Sequence, residues 1–262
     1  MSPSYLWFLL MSCSEKEGDS ALIEPSTEPA TEPSSETDYT HMSGSLVYED
    51  GTPIRGDTVR VQMCSTVCMN STINEDGTFL FEYLQPATYA LDVVPLVEGD
   101  YATPLDFIEV TEEDIQVERT IAIPTFAAKT DLIDGSFEAD NGLWVDIDST
   151  TFVPRAGYPN DVYFSSVSIP SNDFPLPLAT LPVEGEHVRI WYLGAFDAHM
   201  STPWPFRIEG LNDYIGDTLH FFNGNFDEKG WIDLGTATVD ADGLVESPEG
   251  LHQLSILVVV KE

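Results

Sequence analysis

Apolar and polar positions alternate along most of this chain, in short runs punctuated by Gly, Pro and Asp-Gly. Val59, Val61 and Met63 alternate with polar residues. So do Phe79, Phe81 and Tyr83, and then Tyr89, Leu91 and Val93. A period of two lines one face of a half-buried strand, so each run predicts a strand. Asn74-Glu75-Asp76-Gly77 lies between two runs. It predicts a hairpin turn, because Asp-Gly supplies positive φ at little steric cost. The first strand is expected in Gly44-Ser45-Leu46-Val47-Tyr48, with structure beginning at Ser43. A last one is expected through Ile115, Val117, Ile121 and Ile123, ending at Pro124, which has no N–H to give a ladder.

The pattern resumes after Thr125. Residues 162–169 and 188–193 alternate, and Leu254-Ser255-Ile256-Leu257-Val258-Val259-Val260 is an apolar closing strand. Segments around Trp204-Pro205-Phe206, Thr218-Leu219-His220-Phe221-Phe222 and Trp231-Ile232-Asp233-Leu234 fill the middle. No window sustains a helical period. The predicted fold class is all-β, with two consecutive β-sandwich domains at residues 43–124 and 125–262.

Upstream the composition changes. Residues 13–42 repeat a Thr/Ser-Glu-Pro unit without apolar periodicity. Proline gives no amide donor and the glutamates repel one another, so a disordered, extended acidic linker is expected. Residues 1–12 contain Tyr5-Leu6-Trp7-Phe8-Leu9-Leu10-Met11, too short to span a bilayer but of a length that suits a signal-peptide core.

Charge narrows the partners. Ten Lys plus Arg stand against 45 Asp plus Glu, a net charge of −35. Such a surface repels phosphate backbones and anionic headgroups, which excludes nucleic acid and favours basic surfaces or divalent cations. In an oxidising compartment the close pair Cys64 and Cys68 reads as a disulfide, leaving Cys13 to be explained separately.

Leu10-Met11-Ser12-Cys13 resembles the bacterial lipobox, with Leu third before the cysteine and a small residue just before it. The resemblance implies removal of residues 1–12 and acylation of Cys13, which would anchor the chain to a membrane. Ser14 is not the Asp associated with inner-membrane retention, so the outer membrane or cell surface is expected. A second resemblance covers residues 43–124. Gly44-Ser45-Leu46-Val47, Gly51-Thr52-Pro53-Ile54-Arg55-Gly56-Asp57-Thr58-Val59-Arg60-Val61, Asp76-Gly77-Thr78-Phe79-Leu80-Phe81 and Leu84 to Val93 follow one another as in carboxypeptidase regulatory-like domains. These are prealbumin-type sandwiches related to Cna-B modules. The likeness implies a structural, stalk or interaction unit without a peptidase site.

Candidate chemistry is sparse. The sequence has no Gly-x-Ser-x-Gly, and its five histidines show no metal-binding spacing. His220 sits in an apolar run, where a structural histidine is the favoured reading. On the spacing of a calcium loop, Asp240 and Asp242 occupy the third and fifth positions and Glu249 the twelfth. Thr238 stands at the first, where a carboxylate is needed, so an Asp-Gly hairpin turn is favoured and calcium is the alternative. Trp191, Tyr192 and Trp204 read as core, with a carbohydrate- or protein-binding face as the alternative. The chain is thus read as a non-enzymatic, envelope-tethered structural or interaction lipoprotein without a cofactor. The alternative is a carbohydrate- or protein-binding module acting through its second half.

Overall fold

The alternating runs become strands. A computed structural model describes residues 40–96, 101–117, 120–126, 129–156, 160, 162–170, 174, 176 and 178–262. Among them every regular element is a strand or a single 3-10 turn. Cys13, the signal peptide and most of the expected linker lie outside the described residues.

The first half contains β1 (Thr40–Tyr48), β2 (Val59–Cys64), β3 (Cys68–Ser71) and β4 (Thr78–Leu84). It continues with β5 (Ala87–Pro95), β6 (Leu105–Val110), β7 (Ile115–Gln116) and β8 (Ile121–Ile123). One sheet runs β4-β1-β7, with β8 also on β1; the facing sheet runs β3-β2-β5-β6. Val61 faces Val93 and Met63 faces Leu91 in register, and all four are buried in a core shared with Leu46, Phe79 and Phe81.

Three sequence expectations change here, and one strand is added. The first sheet starts at Thr40, inside the segment assigned to the linker: Thr40 pairs with Leu84, and Met42 is fully buried. Tyr83 leaves the face of Phe79 and Phe81. The four residues from Phe81 to Leu84 oppose the three from Met42 to Thr40, and this bulge turns Tyr83 outward, 63% exposed. The single last strand is two short ones, both parallel to β1. Met42 faces Ile115 and Leu46 faces Ile121, so six residues advance along four and one ladder cannot continue. Finally, β6 was not legible at all, because its Leu-Asp-Phe-Ile run is buried on both sides and shows no alternation.

The second half contains β9 (Thr130–Asp131), β10 (Gly135–Glu138), β11 (Leu143–Ile147), β12 (Phe152–Val153) and β13 (Tyr163–Ile169). Next come β14 (Glu186–Gly194), β15 (Ala198–Trp204), β16 (Phe206–Ile208) and β17 (Thr218–Asn225). The chain closes with β18 (Gly230–Thr238), β19 (Val245–Glu246), β20 (Leu251–Leu254) and β21 (Ile256–Lys261). A six-stranded sheet runs β18-β17-β21-β14-β13-β9, and β10-β11-β16-β19 and β12-β15-β20 form the smaller sheets.

The six-stranded sheet is covered on both faces. Trp191, Leu193, Leu219, Phe221, Leu257 and Val259 pack with the two smaller sheets in a core that belongs wholly to the second half. On the other face Ile190, Tyr192, Phe222, Ile256, Val258 and Val260 join the core of the first sandwich, along with Phe174, Leu176 and Leu178. This explains the unbroken apolar run of β21, since a strand covered on both faces has no polar phase. The apolar cluster therefore crosses Pro124, and Asp38–Glu262 form one compact unit.

Candidate functional site

The residues singled out from sequence are placed as follows. Cys64 and Cys68 stand opposite each other on β2 and β3 and form the expected disulfide, with Cα atoms 4.0 Å apart. Trp191, Tyr192 and Trp204 are 0%, 2% and 1% exposed. The Trp191 indole N–H donates to the Asp140 carbonyl at 2.9 Å, and that of Trp204 to Thr151 Oγ1 at 2.9 Å. These three side chains build core and line no surface, which corrects the alternative that gave them a binding face.

The acidic loop is a turn. Asp240 Oδ1 accepts the backbone N–H groups of Asp242 and Leu244, each at 2.9 Å, and Gly243 takes φ 73°. Glu249 lies instead beside His252, 3.7 Å from Nε2. Among the described residues no three His, Cys, Asp or Glu side chains come together as a metal requires. Asp240, Asp242 and Glu249 are not gathered around a common point as a calcium ion requires, since Glu249 turns toward His252 while Asp240 closes its own turn.

Three regions concentrate polar chemistry. The first is the junction between the halves. Asp106 accepts from Phe107 N at 2.8 Å and Leu178 N at 2.9 Å, tying β6 to the second half. Thr180 Oγ1 donates to the Phe107 carbonyl at 2.9 Å and accepts from Trp231 Nε1 at 3.1 Å. The Trp231 ring meets Phe107 edge-on at 5.1 Å. Gly224 allows the close approach, since a Cβ there would lie 2.6 Å from Ile256 and 3.4 Å from Leu105.

Burial dominates the electrostatics of this junction. It pushes the Asp106 carboxyl up to about 7, even though its two N–H donors pull the other way. Asp92, fully buried and opposite Gln62 and Leu105, is likewise pushed up to about 7 by burial, against the pull of Arg155 and Arg60. Asp197 is raised to about 6, again by burial first and against Arg155, which lies 3.5 Å away. Gln253 Nε2 donates to Asp197 at 2.8 Å. Burial, and the charge of Asp106 after it, also raise the Tyr192 phenol.

The second region is His220, whose Nδ1 lies 2.7 Å from Glu262 and whose Nε2 lies 2.8 Å from Asp233. Burial lowers its pKa, but the bonds and charges of Glu262 and Asp233 outweigh that and leave it raised. Two carboxylates therefore grip an imidazolium, the structural role expected for this histidine.

The third region is the solvent face of β10-β11-β16-β19. Leu143, Val145 and Ile147 point inward, so Trp144 and Asp146 occupy the opposite phase. In register, Glu138 faces Trp144, Trp144 faces Arg207, and Arg207 faces Glu246, which forms one row across four strands. The Arg207 guanidinium stands 4.6 Å from the Trp144 ring. Its Nε lies 3.3 Å from Glu209 Oε1, and its Nη1 lies 3.3 Å from Ser136 Oγ. Trp144 is only partly buried, and its indole N–H has no partner among the described residues. Its signal in the sequence was a tryptophan on the polar phase of an alternating strand.

No protein-family model matches the chain, and no curated protein matches it. Among solved structures, a DUF3823 family protein from Bacteroides ovatus is 8% identical with a TM-score of 0.26, over 86% of this chain and 82% of that one. A protein from Bacteroides uniformis, provisionally described as carbohydrate binding, is 8% identical with a TM-score of 0.27, over 85% and 79%. A second DUF3823 family protein, from Parabacteroides merdae, is 10% identical with a TM-score of 0.25, over 85% and 97%. Nothing about ligand or activity is argued from likenesses at this level. No family model supports the carboxypeptidase regulatory-like resemblance of residues 43–124, whereas the all-β sandwich architecture stands in the coordinates themselves.

Proposed function

We propose that this chain is a non-catalytic, lipid-tethered structural or interaction protein of the cell envelope. The observation that supports this reading most is the apolar cluster that crosses Pro124. It joins two sandwiches into one body, as suits a unit that holds a surface at a fixed distance from its anchor. The order of motifs over residues 43–124 agrees with a stalk or interaction module of the carboxypeptidase regulatory-like kind. Leu10-Met11-Ser12-Cys13 supplies the anchor, and the Thr/Ser-Glu-Pro stretch ahead of Thr40 the spacer.

Acyl-chain mass spectrometry of the chain expressed in a diderm bacterium tests the tether. Acyl groups on Cys13, with release of the Cys13→Ser variant from the membrane fraction, are the expected result. A soluble, unacylated product would overturn the reading.

A second reading, binding of carbohydrate or protein through the second half, is favoured by the row of Glu138, Trp144, Arg207 and Glu246. It no longer involves Trp191, Tyr192 or Trp204, which are spent on the core.

A further inference from the structure

We infer that the open side of the first sandwich, between β3 and β4, is a docking site for an extended, basic segment of a partner protein, which adds to the edge of β4 as a further strand. The inference rests on the interaction role proposed above and gives it a place and a kind of partner.

The two sheets leave this side open. Among the described strands β4 pairs only with β1 and β3 only with β2, so each is the edge of its sheet. Near the turn that joins them the two edges hold together: Ile73 bridges Phe79, and Asn74 N donates to the Thr78 carbonyl at 2.9 Å. The next contact is made by a side chain. Ser71 Oγ accepts the Leu80 N–H at 3.0 Å and donates to the Leu80 carbonyl at 2.8 Å, nearer than the Thr72 carbonyl at 3.1 Å. One hydroxyl thus does for Leu80 what a neighbouring strand does with two backbone groups. Beyond it lies a cleft of about 500 Å³, lined by the buried Phe81, the half-buried Met69 and the exposed Asn70, Leu80, Glu82 and Tyr83.

An open edge is a template for another chain, and extended peptides are read at such edges through their backbone. Two features mark this edge for use. Leu80 and Tyr83 keep apolar surface in the open, 47% and 63% exposed. Tyr83 also holds φ 61°, which a bulky side chain rarely adopts, and strain of this kind gathers at binding sites.

Charge selects the partner. Glu82 is the charged residue of the lining, no Lys or Arg accompanies it among the described residues, and Glu75 and Asp76 stand in the adjoining turn. On a chain of net charge −35 an acidic segment is repelled and a second copy brings the same charge, whereas a basic segment is drawn in. Phe81 faces inward and Glu82 outward. An added strand that alternates apolar and basic residues matches both, one face against Phe81 and Met69 and the other beside Glu82.

Fluorescence anisotropy of the full chain at physiological salt tests this with three labelled ten-residue peptides. One alternates Lys and Val, one is the same peptide with every backbone N–H methylated, and one alternates Glu and Val. The Lys/Val peptide should bind, and methylation, which keeps the charge and removes the strand's donors, should weaken binding about tenfold or more. Glu82→Lys should weaken it about fivefold. Ser71→Ala should tighten it about fivefold, because the incoming strand no longer displaces the hydroxyl. Both variants should keep the parent's thermal midpoint within about 4 °C, which separates changed binding from changed folding. Equal binding of the methylated peptide would reduce the attraction to charge alone and overturn strand addition. Lys/Val binding that neither variant alters would overturn the cleft as its place, and binding of the Glu/Val peptide in its stead would overturn the partner's charge. A free chain that sediments as a dimer, and as a monomer with Glu82→Lys, would put a second copy in the cleft and overturn the outside partner. No binding by any peptide would overturn the inference, whereas the tether at Cys13 stands or falls on its own experiment.

Discussion

Trp191 and Trp144 sit on opposite sheets of the same sandwich. Trp191 lies on β14 in a sheet covered on both faces, its ring closed into the core and its N–H given to the Asp140 carbonyl. Trp144 lies on β11, partly buried, with the Arg207 guanidinium 4.6 Å from its ring. The same residue type thus serves as core or as surface according to the layer next to its strand. The six-stranded sheet has a neighbour on each side because the first sandwich docks against it; among the described residues the four-stranded sheet packs on one side.

The sharpest way to break this comparison is to truncate both side chains. Trp191→Ala leaves a cavity in a close-packed core and should cost about 3–5 kcal/mol. Trp144→Ala should cost within about 0.5 kcal/mol, as surface substitutions usually do. Urea denaturation of the two variants checks the pair, and equal costs would show that the outer face of β11 is covered after all.

Next in size is the unfolding behaviour of the junction. Because one apolar cluster spans Pro124, the full chain should unfold in a single transition, with calorimetric and van't Hoff enthalpies in agreement. Two separated transitions would show two independently stable domains at residues 43–124 and 125–262. Acidity probes the same contact. Asp92 and Asp106 hold their protons up to about 7 and Asp197 up to about 6, against an ordinary carboxylate value of 3.8. Between about pH 4 and 7 the folded protein keeps protons that the unfolded chain has released, so stability should fall as pH rises through that window. His220, with its raised pKa, adds stability that is also lost as pH rises, so the variant and not the bare slope is decisive. The urea midpoint should be higher at pH 5 than at pH 8, and Asp106→Asn should flatten the difference. An unchanged slope in Asp106→Asn would remove the junction carboxylate from the account.

A smaller effect is expected at the far edge of the first sandwich. The Cys64–Cys68 bridge closes a short loop and restricts the unfolded chain little, so Cys64→Ser with Cys68→Ser should cost about 2 kcal/mol. A cost well above that would mean the bridge also holds the β3 edge against the second sheet.

Much of the fold was legible because alternation is local. Val59 to Met63, Tyr89 to Val93 and the Asp76-Gly77 turn needed only a strand period and a residue tolerant of positive φ, and Gly77 takes φ 82°. The disulfide was legible because two cysteines four residues apart can face each other across a tight return. The bulge at Tyr83, the split of the last strand and the two-faced burial of β6 were not, since each depends on the partner strand or layer. Trp144 takes the phase opposite Leu143 and Val145, but a single alternating run of five residues does not say whether that phase meets solvent.

What the amino-acid sequence by itself determined is therefore the all-β element type, the turn chemistry, the acidity and the phase of the regularly alternating strands, all set by neighbours within a few residues. Tertiary structure alone decided which phases meet solvent. Burial of a face is settled by another layer arriving from far along the chain, as when the first sandwich covers Tyr192 and Phe222 while Trp144 and Arg207 stay partly exposed.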